Sequence, residues 1–470
     1  MHTECNRRIQ QLTAENAALR TLVAQLQARV EELERLLGQN SSNSSRPPSS
    51  DTPAQRETRP SKPPSGRRRG AQPGHKGWRR KLLPPERVNE VRDCFPDRCR
   101  RRGCSKELPR RPDPNPLPHQ VVEIPHIEPY VTEYRLHSVT CECGKVTCAS
   151  LPPGVPHGMC GPRLAATIAL LTGDTNTSRR DAVRLLSDIL GVEISLGALS
   201  ETEEMVSEAL AAPVEEAGAQ VSEQGIKHVD ATGFQQAGKK HTLWTIAAPL
   251  VTFFAITANA SSAGLRGLFH TLKGIFISDR GSQFGFWAMK DRQICWAHLI
   301  RKFVSFAERS GVAGELGANL LLLSRTMMHV WHRVRDGTLS RRRFREFIAK
   351  LRPIFEGHLE RGVRLGIRGV SGSCADILAH RLALWTFVDQ DGVDPTNNAA
   401  ERALRAFVLW RKMSFGSQSE RGTRFAARIQ TVVQTLRKQR RHVLSYLTEA
   451  CQAALLGVPP PSLLPPLATQ

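Results

Sequence analysis

The chain has 470 residues, which is too long for one ordinary hydrophobic core, so three or more folded units are expected. Its 66 Lys and Arg residues outnumber its 44 Asp and Glu residues, and this net charge of +22 favours a nucleic acid partner over a merely soluble basic protein. We expect a cytoplasmic protein without membrane contact, because the sequence has no signal-peptide pattern and no apolar run near the roughly 20 residues that span a bilayer.

Residues 1–40 carry an apolar heptad pattern with leucine at one seam position and mostly β-branched residues at the other. This pattern predicts a leucine zipper-like coiled coil that joins chains into a homodimer or higher oligomer, with a polar seam residue, Asn16, fixing the register. The alternative is an amphipathic helix packed on its own chain. The seam residues are Ile9, Asn16, Val23, Val30 and Leu37, together with Leu12, Leu19, Leu26 and Leu33.

Ser, Pro, Gly and Arg dominate residues 41–85, and this composition predicts a disordered basic linker. Its cations are candidate phosphate contacts, and Trp78 is a candidate for base stacking. A solvated linker with incidental charge is the alternative. The candidate DNA-binding cations are Arg67, Arg68, Arg69, Lys76, Arg79, Arg80 and Lys81.

Most of the 11 cysteines lie between Cys94 and Cys160, and such clustering indicates metal binding rather than a disulfide framework. Residues 86–158 are therefore predicted to form a small zinc-binding domain in which two cysteine pairs hold a structural Zn²⁺ ion. Neither pair has CxxC spacing, and free buried thiols are the alternative. The predicted ligands are Cys99, Cys104, Cys141 and Cys143, with Cys94, Cys148 and Cys160 as substitutes.

Residues 159–218 contain helical patterns with clear end signals. One helix ends at Gly191 and the next begins near Ser195, which predicts a helix-turn-helix-like DNA-binding region. The glutamates of 201–204 give the second helix an acidic face, which favours the alternative of a packed helical bundle.

Two strand patterns are each expected to end at an aspartate, Asp230 in IKHVDATGF and Asp279 in GIFISDRGSQF. Three antiparallel strands, a crossover helix and a fourth strand would place the two aspartates side by side, a topology that RNase H-like nucleases and transposases have. A third acid, Glu401, lies near the start of a helix in NNAAERALRAF. Two strand-borne aspartates and a helix-borne glutamate form a candidate Mg²⁺ site for phosphodiester chemistry.

Basic residues follow the third acid and are candidate contacts for DNA phosphates. The CxxH pair, Cys295 and His298, follows a fifth short strand, and we interpret it as packing beside the active site rather than as a zinc site. The cations after Glu401 are Arg402, Arg405, Arg411 and Lys412.

Several stretches of the chain resemble the insertion-sequence-66 type of bacterial DDE transposases. They are NSSNSSRPPSSD, RGAQPGHKG, HVDATG, ISDRGS, QICWAHLIRKF and NNAAERALR…RKMSFGS. The resemblance implies an RNase H-like core with two divalent ions, Mg²⁺ or Mn²⁺, a zinc-binding region ahead of it, and a catalytic triad of Asp230, Asp279 and Glu401. The family's first acid usually stands in Asp-Glu-Thr, whereas Ala231 follows Asp230 here.

The predicted fold is therefore multidomain α+β, with an RNase H-like α/β catalytic core that a helical insertion divides.

The predicted function is DNA transposition, in which the protein cleaves element ends at their terminal inverted repeats and joins them to target DNA. The protein is expected to be nucleoid-associated when it is bound to DNA. The alternatives are a nuclease without strand transfer and a non-catalytic DNA-binding regulator; accessory proteins of the same element are possible partners. The predicted segments beyond 159–218 are 219–300 and 388–435 for the core, 301–387 for the insertion and 436–470 for a basic helix and tail.

Overall fold

The computed structural model of the chain describes residues 2–44, 51–57, 74–75 and 80–464. The chain divides into two units, of which one comprises 58–130 and the other comprises 1–57 together with 131–470. Within the residues that the structure describes, no helix is both long enough and apolar enough to cross a membrane.

The larger unit contains a five-stranded mixed sheet and a separate two-stranded hairpin. The described strands, in chain order, are β1 Ser138–Thr140, β2 Val146–Cys148, β3 Ile226–Gln236, β4 Lys239–Ala247, β5 Thr252–Thr257, β6 Ile275–Ser278 and β7 Arg292–Ile294. The order across the sheet is β5-β4-β3-β6-β7, with β3, β4 and β5 antiparallel and β6 and β7 parallel to β3. The predicted neighbour relation of the two aspartate-bearing strands is confirmed.

Helices make up most of the remaining secondary structure of the larger unit. Those before and within the sheet are α1 His2–Leu37, α2 Pro53–Glu57, α3 Pro162–Gly173, α4 Arg179–Leu190, α5 Leu196–Ala209, α6 Ala211–Glu223 and α7 Ser262–Arg266. Those after it are α8 Trp296–Ala307, α9 Gly311–Arg335, α10 Arg341–Arg364, α11 Ser371–Ala379, α12 Arg381–Leu384, α13 Thr386–Asp389, α14 Asn398–Ser414, α15 Glu420–Lys438 and α16 Val443–Leu456.

Residues of the central strands alternate between two cores, as the two-residue period of a strand requires. Val229 and Phe276 join a core that helices α3 to α6, α15 and α16 complete. Phe234 points to the opposite face, where it packs with Phe407 of α14, and Ile277 joins the core of the insertion helices. The sheet is therefore covered on both faces, and Asp230 shares its face with Phe234 and α14.

The prediction that the first strand ends at Asp230 is wrong, because β3 continues to Gln236. The part of β3 after Asp230 pairs with β4 along its whole length, and a tight turn at Ala237 and Gly238 connects the two strands. After α14, Ser417 N–H donates to Gln235 O at 3.0 Å. Gly416 is needed at this contact, since its φ is +89° and a Cβ there would lie 2.1 Å from Gln235 O.

Helices α8 to α13 form the insertion, around a core that Ile277 and Ile294 of the sheet also join. Trp296 and Phe303 of α8 stack against Phe355 of α10, with ring centroids 5.2 and 5.8 Å apart. The helices α8 and α9 approach so closely that a Cβ at Gly317 would lie 2.2 Å from Ala307 N. The insertion was predicted over 301–387, and its helices run from Trp296 to Asp389.

The two helices of the predicted helix-turn-helix have the expected ends. Gly191 adopts the left-handed conformation after α4, and the Ser195 side chain caps α5. However, α5 packs against α3, α15 and α16, and its acidic side is occupied by Arg421 and Arg428 of α15, which bond to Glu204 and Glu208. These contacts fit the packed-bundle alternative.

Part of the segment for which the composition predicts disorder has defined structure. Asp51 is buried and accepts from Ser41 N–H at 2.8 Å and from Ser41 Oγ at 2.6 Å. The Asn43 side chain donates to Gly38 O at 3.0 Å and to Glu308, just after α8, at 2.7 Å. Short polar side chains that bond to nearby backbone can order a turn without an apolar core.

The cysteine pairs predicted to bind zinc each lie in a short turn. In unit 58–130, Cys99 N–H donates to Lys106 O at 2.8 Å and Cys104 N–H to Arg101 O at 3.0 Å. In the larger unit, Cys141 and Cys143 lie in the turn between β1 and β2, where hydrogen bonds from Cys143 and Glu142 backbone and from the Cys143 thiol lower the pKa of Cys141. The zinc ligand set stays a prediction.

Candidate active site

The parallel pairing of β3 with β6 aligns the two aspartates. Ile226 lies opposite Ile275 and His228 opposite Ile277, so the same register, carried on by two residues, brings Asp230 level with Asp279. Asp279 is the first residue after β6, and Gly281 N–H donates to its Oδ1 at 2.8 Å. Asp230 on β3 and Asp279 at the end of β6 thus lie on neighbouring strands of the sheet, as the sequence predicts.

The third acid, Glu401, lies in the first turn of α14. The helix is held against the sheet by Phe407, whose ring centroid lies 6.1 Å from Phe234 and 5.3 Å from Phe254. A carboxylate in the first turn is stabilised by the positive end of the helix dipole. Its Oε1 lies 3.6 Å from Nη2 of Arg301 on α8, and about a third of the Glu401 side chain is exposed.

The other two acids lie close enough to Asp230 to affect its ionisation. Burial, followed by the charges of Asp279 and Glu401, raises the pKa of Asp230 to about 7. The Ala231 N–H, which donates to Asp230 Oδ1 at 2.8 Å, and the positive charge of Arg301 oppose this shift of the pKa. A carboxyl whose pKa is raised to near neutrality by burial and by neighbouring like charges is a feature of functional sites.

Asn397 joins the elements that carry the site. Its Nδ2 donates to Val229 O at 2.7 Å, and its Oδ1 lies 3.3 Å from Nδ1 of His228, two residues before Asp230 on β3. Its backbone N–H donates to Cys295 Sγ at 3.1 Å, and its carbonyl accepts from Glu401 N–H at 3.2 Å. This buried residue therefore fixes β3, the start of α8 and the start of α14 relative to one another.

Two arginines lie beneath and beside Asp279. Arg292 on β7 is fully buried, and its Nη2 donates to Asp279 O at 3.3 Å. Arg280 pairs with Asp376 of α11. Burial lowers the pKa of both guanidinium groups while the Asp279 charge opposes that shift, so the carboxylate has positive charge on its inner side.

His298 lies in the first turn of α8. Burial and then the charge of Arg301 lower the pKa of His298, while Asp279 and Glu401 oppose the shift. Its position i−3 from Arg301 puts both side chains on one face of the helix. Reasoning from the sequence did not identify Arg292, Arg301 or Asn397 as residues of the site. The spacing of three residues between His298 and Arg301 could have indicated Arg301, because it places both on one face of a helix.

The candidate DNA contacts after Glu401 fall into two groups. Arg402, Arg405 and Lys412 are exposed on α14. Arg411 is instead bound to β3, where it donates to Thr232 Oγ1 at 3.1 Å and to Gly233 O. Among the linker cations, Arg80 and Lys81 are exposed, whereas Arg67, Arg68, Arg69, Lys76 and Arg79 lie outside the described residues.

A cleft of about 470 Å³ lies beside the acids on the same face of β3. His228, Arg402 and Asp394 line it together with Lys438 of α15, whose pKa burial lowers to about 8. The other residues that line the cleft are mostly small, and Arg402 and Lys438 give it two basic side chains.

A mixed α/β fold with acids converging on one sheet, in a chain of net charge +22, belongs to a class that contains many enzymes acting on nucleic acids. The model of the Transposase IS66 family matches residues 157–425, more than half of the chain, and the chain therefore belongs to that family of transposases. Residues 2–81 match the model of a family of unknown function, DUF6444. None of the curated proteins matches the chain. The resemblance drawn from the sequence is confirmed.

Proposed function

We propose that the chain binds the ends of an insertion sequence and catalyses metal-dependent 3′-end cleavage and strand transfer. Convergence of Asp230, Asp279 and Glu401 in a transposase family member is the observation that carries the proposal. The proposed fold of the core is RNase H-like, because three antiparallel strands are followed by two strands parallel to the first.

The donor set fits hard divalent cations. Asp230, Asp279 and Glu401 supply carboxylate oxygens, and the pKa of Asp230 is raised by burial and by its acidic neighbours, so a cation would offset repulsion that Arg301 only partly relieves. When bound, a pair of Mg²⁺ or Mn²⁺ ions would supply stabilisation of phosphate oxygens and a more acidic attacking water or 3′-hydroxyl.

The chain's own residues supply position and countercharge. Asn397 and the β3–β6 register hold the acids in place before substrate binds. Arg402, Arg405 and Lys412 are exposed beyond Glu401 and would contact phosphates of the bound strand. Arg411, which anchors β3, would act by positioning Thr232 and the strand rather than by contacting DNA.

The remaining parts of the chain suggest how the transposase assembles on DNA. The described seam side chains of α1 are largely exposed, for example Leu19 at 58% and Leu26 at 56%, and a second copy of the helix would cover them. We propose a homodimer through α1, a structural Zn²⁺ at the cysteine turns and basic contacts from the linker. Residence on the nucleoid and help from accessory proteins of the element belong to the same proposal.

The test incubates the purified full-length chain with terminal inverted-repeat DNA and Mg²⁺, and compares wild type with Asp279→Asn and with Asp188→Asn, an exposed acid on α4. Metal-dependent joining of 3′ ends by wild type and Asp188→Asn, but not by Asp279→Asn, is expected. Cleavage without joining would indicate a nuclease, and binding without either would indicate a regulator. Equal cleavage by Asp279→Asn would refute the assigned site.

A further inference from the structure

Side chains able to bind a metal meet beside the acids. Cys295 Sγ, a ring nitrogen of His298 and a carboxylate oxygen of Glu401 all lie within 4.8 Å of one another. In the part of the chain that the structure describes, no other group of three or more His, Cys, Asp or Glu side chains meets that spacing. The group shares Glu401 with the proposed catalytic site.

The connection from β7 to α8 places His298 beside Asp279. Cys295 N–H donates to Ser278 O at 2.9 Å, which extends the β6–β7 pairing to the residue before Asp279. The helix α8 begins at once, and His298 N–H donates to Cys295 O at 3.2 Å, so the imidazole belongs to its first turn. The first turns of α8 and α14 thus meet beside Asp279.

Cys295 and His298 differ in how their polar atoms are satisfied. Cys295 is fully buried, and its Sγ accepts the Asn397 N–H at 3.1 Å. Nδ1 of His298 is shielded from solvent and has no hydrogen-bond partner among the described residues. A buried nitrogen without a partner is unfavourable, and such a group in a native protein calls for an explanation.

We propose that His298 is a ligand of the metal ion that Glu401 binds, so that the centre contains an imidazole nitrogen in addition to its carboxylates. The inference rests on the proposed function, since it assigns a further residue to that metal site. Cys295 serves as a packing and positioning residue, because its sulfur is already bonded to Asn397.

The added nitrogen has a consequence for metal choice. Mg²⁺ prefers oxygen ligands and water, whereas imidazole is a better ligand for first-row transition metals such as Mn²⁺. His298 therefore favours Mn²⁺ over Mg²⁺ at this centre more than three carboxylates alone would. Replacement of His298 by an oxygen donor should remove that preference while leaving the carboxylates able to bind Mg²⁺.

The test measures Mn²⁺ binding to the full-length protein by electron paramagnetic resonance of free Mn²⁺, with Mg²⁺ as competitor. His298→Gln should weaken Mn²⁺ binding about tenfold or more, the effect typical of a lost metal-site partner, and should weaken Mg²⁺ binding less than about threefold. His298→Asp should bind both ions without the Mn²⁺ preference. His332→Gln, an exposed histidine in the last turn of α9, should match wild type.

Asp279→Asn, measured in parallel, distinguishes an error in the proposed catalytic site from an error in the role of His298. Its Mn²⁺ affinity should fall sharply, and wild-type affinity in this variant would refute the proposed catalytic site itself. If Asp279→Asn loses Mn²⁺ while His298→Gln keeps the wild-type ratio of Mn²⁺ to Mg²⁺ affinity, or weakens both ions equally, then only the role of His298 is wrong. An unchanged melting temperature of metal-free His298→Gln would show that the variant is folded.

Discussion

Asp230→Asn should stabilise the metal-free protein while abolishing catalysis. The carboxyl of Asp230 is held near Asp279 and Glu401 in a half-buried position, and burial with these like charges raises its pKa to about 7. Ionised Asp230 therefore destabilises the folded state, whereas Asn has the same shape without the charge. Strain of this kind is common where function requires like charges to converge.

The size of the effect follows from the pKa shift. An ordinary aspartate has a pKa of about 4, whereas that of Asp230 is about 7. At about 1.36 kcal/mol for a tenfold change in the ionisation constant, this difference sets an upper limit of about 4 kcal/mol on the destabilisation of the folded state. Partial exposure lets solvent screen the charges, so we expect about 2 kcal/mol. In a domain of a few hundred residues this raises Tm by about 4 °C or more.

The stability advantage of Asp230→Asn over wild type should grow as the pH rises from about 4 to about 7. Above pH 7 the carboxyl is ionised in the folded and the unfolded chain, so wild type carries the full destabilisation. As pH falls from about 7 to about 4, the folded protein binds a proton that the unfolded chain does not, and the disadvantage shrinks. Below about pH 4 both states are protonated and the two proteins should be equally stable.

The assay is thermal unfolding in a chelator at pH 8.5 and pH 5.5, with Asp188→Asn as the matched exposed control on α4. The advantage of Asp230→Asn should be roughly halved at the lower pH, and the control should match wild type at both. Added Mg²⁺ should raise the Tm of wild type but not that of Asp230→Asn. A variant no more stable than wild type at pH 8.5, or one with a pH-independent advantage, would show that the acids do not converge as described.

Four further predictions concern other parts of the molecule. Gly317→Ala should destabilise the protein by about 1–3 kcal/mol in chemical denaturation, because its Cβ would lie 2.2 Å from Ala307 N. Gly357→Ala on α10, where a Cβ has open space, should instead stabilise the protein by up to about 1 kcal/mol in the same assay. Asn397→Ala should cost about 2–4 kcal/mol in the same assay and abolish end joining, because buried partners on β3 lose their hydrogen bonds. Removal of residues 1–40 should lower the solution mass measured by light scattering, since α1 is proposed to join two chains. Cys141→Ser should lower the zinc content measured by metal analysis.

Each of these predictions can fail clearly. Equal stability of the two glycine variants would contradict the close contact of α8 and α9. Full activity in Asn397→Ala would mean that the site does not depend on that junction. An unchanged mass after truncation would assign dimerisation elsewhere or exclude it, and unchanged zinc content would remove Cys141 from the ligand set.

Local patterns were enough to predict the elements that build the sheet. The apolar runs around Val229 and Ile277 predict strands because alternate residues face two cores, and the residues before and after α4 and α5 act as the caps that their types indicate. The crossover helix α7 is shorter than its pattern, ending at Arg266. The need for glycine at position 416 could not be predicted from local sequence, because it arises from the close contact with Gln235 on β3.

The network around the acids could not be read from the sequence. Asn397 bonds to Val229 and to Cys295, which lie more than a hundred residues away, and no local period encodes such contacts. The sequence alone likewise indicates only packing for His298, because Glu401, whose carboxylate lies within 4.8 Å of the imidazole, comes more than a hundred residues later in the chain. Composition also predicted disorder for residues that Asp51 and Asn43 order through short polar hydrogen bonds.

The central claim is that one metal centre forms where β3, β6 and α14 meet. Anomalous X-ray scattering from crystals of the protein soaked in Mn²⁺ tests it most directly. The account predicts manganese peaks bounded by Asp230, Asp279 and Glu401. Absence of any peak there, with manganese bound at other residues, would contradict it.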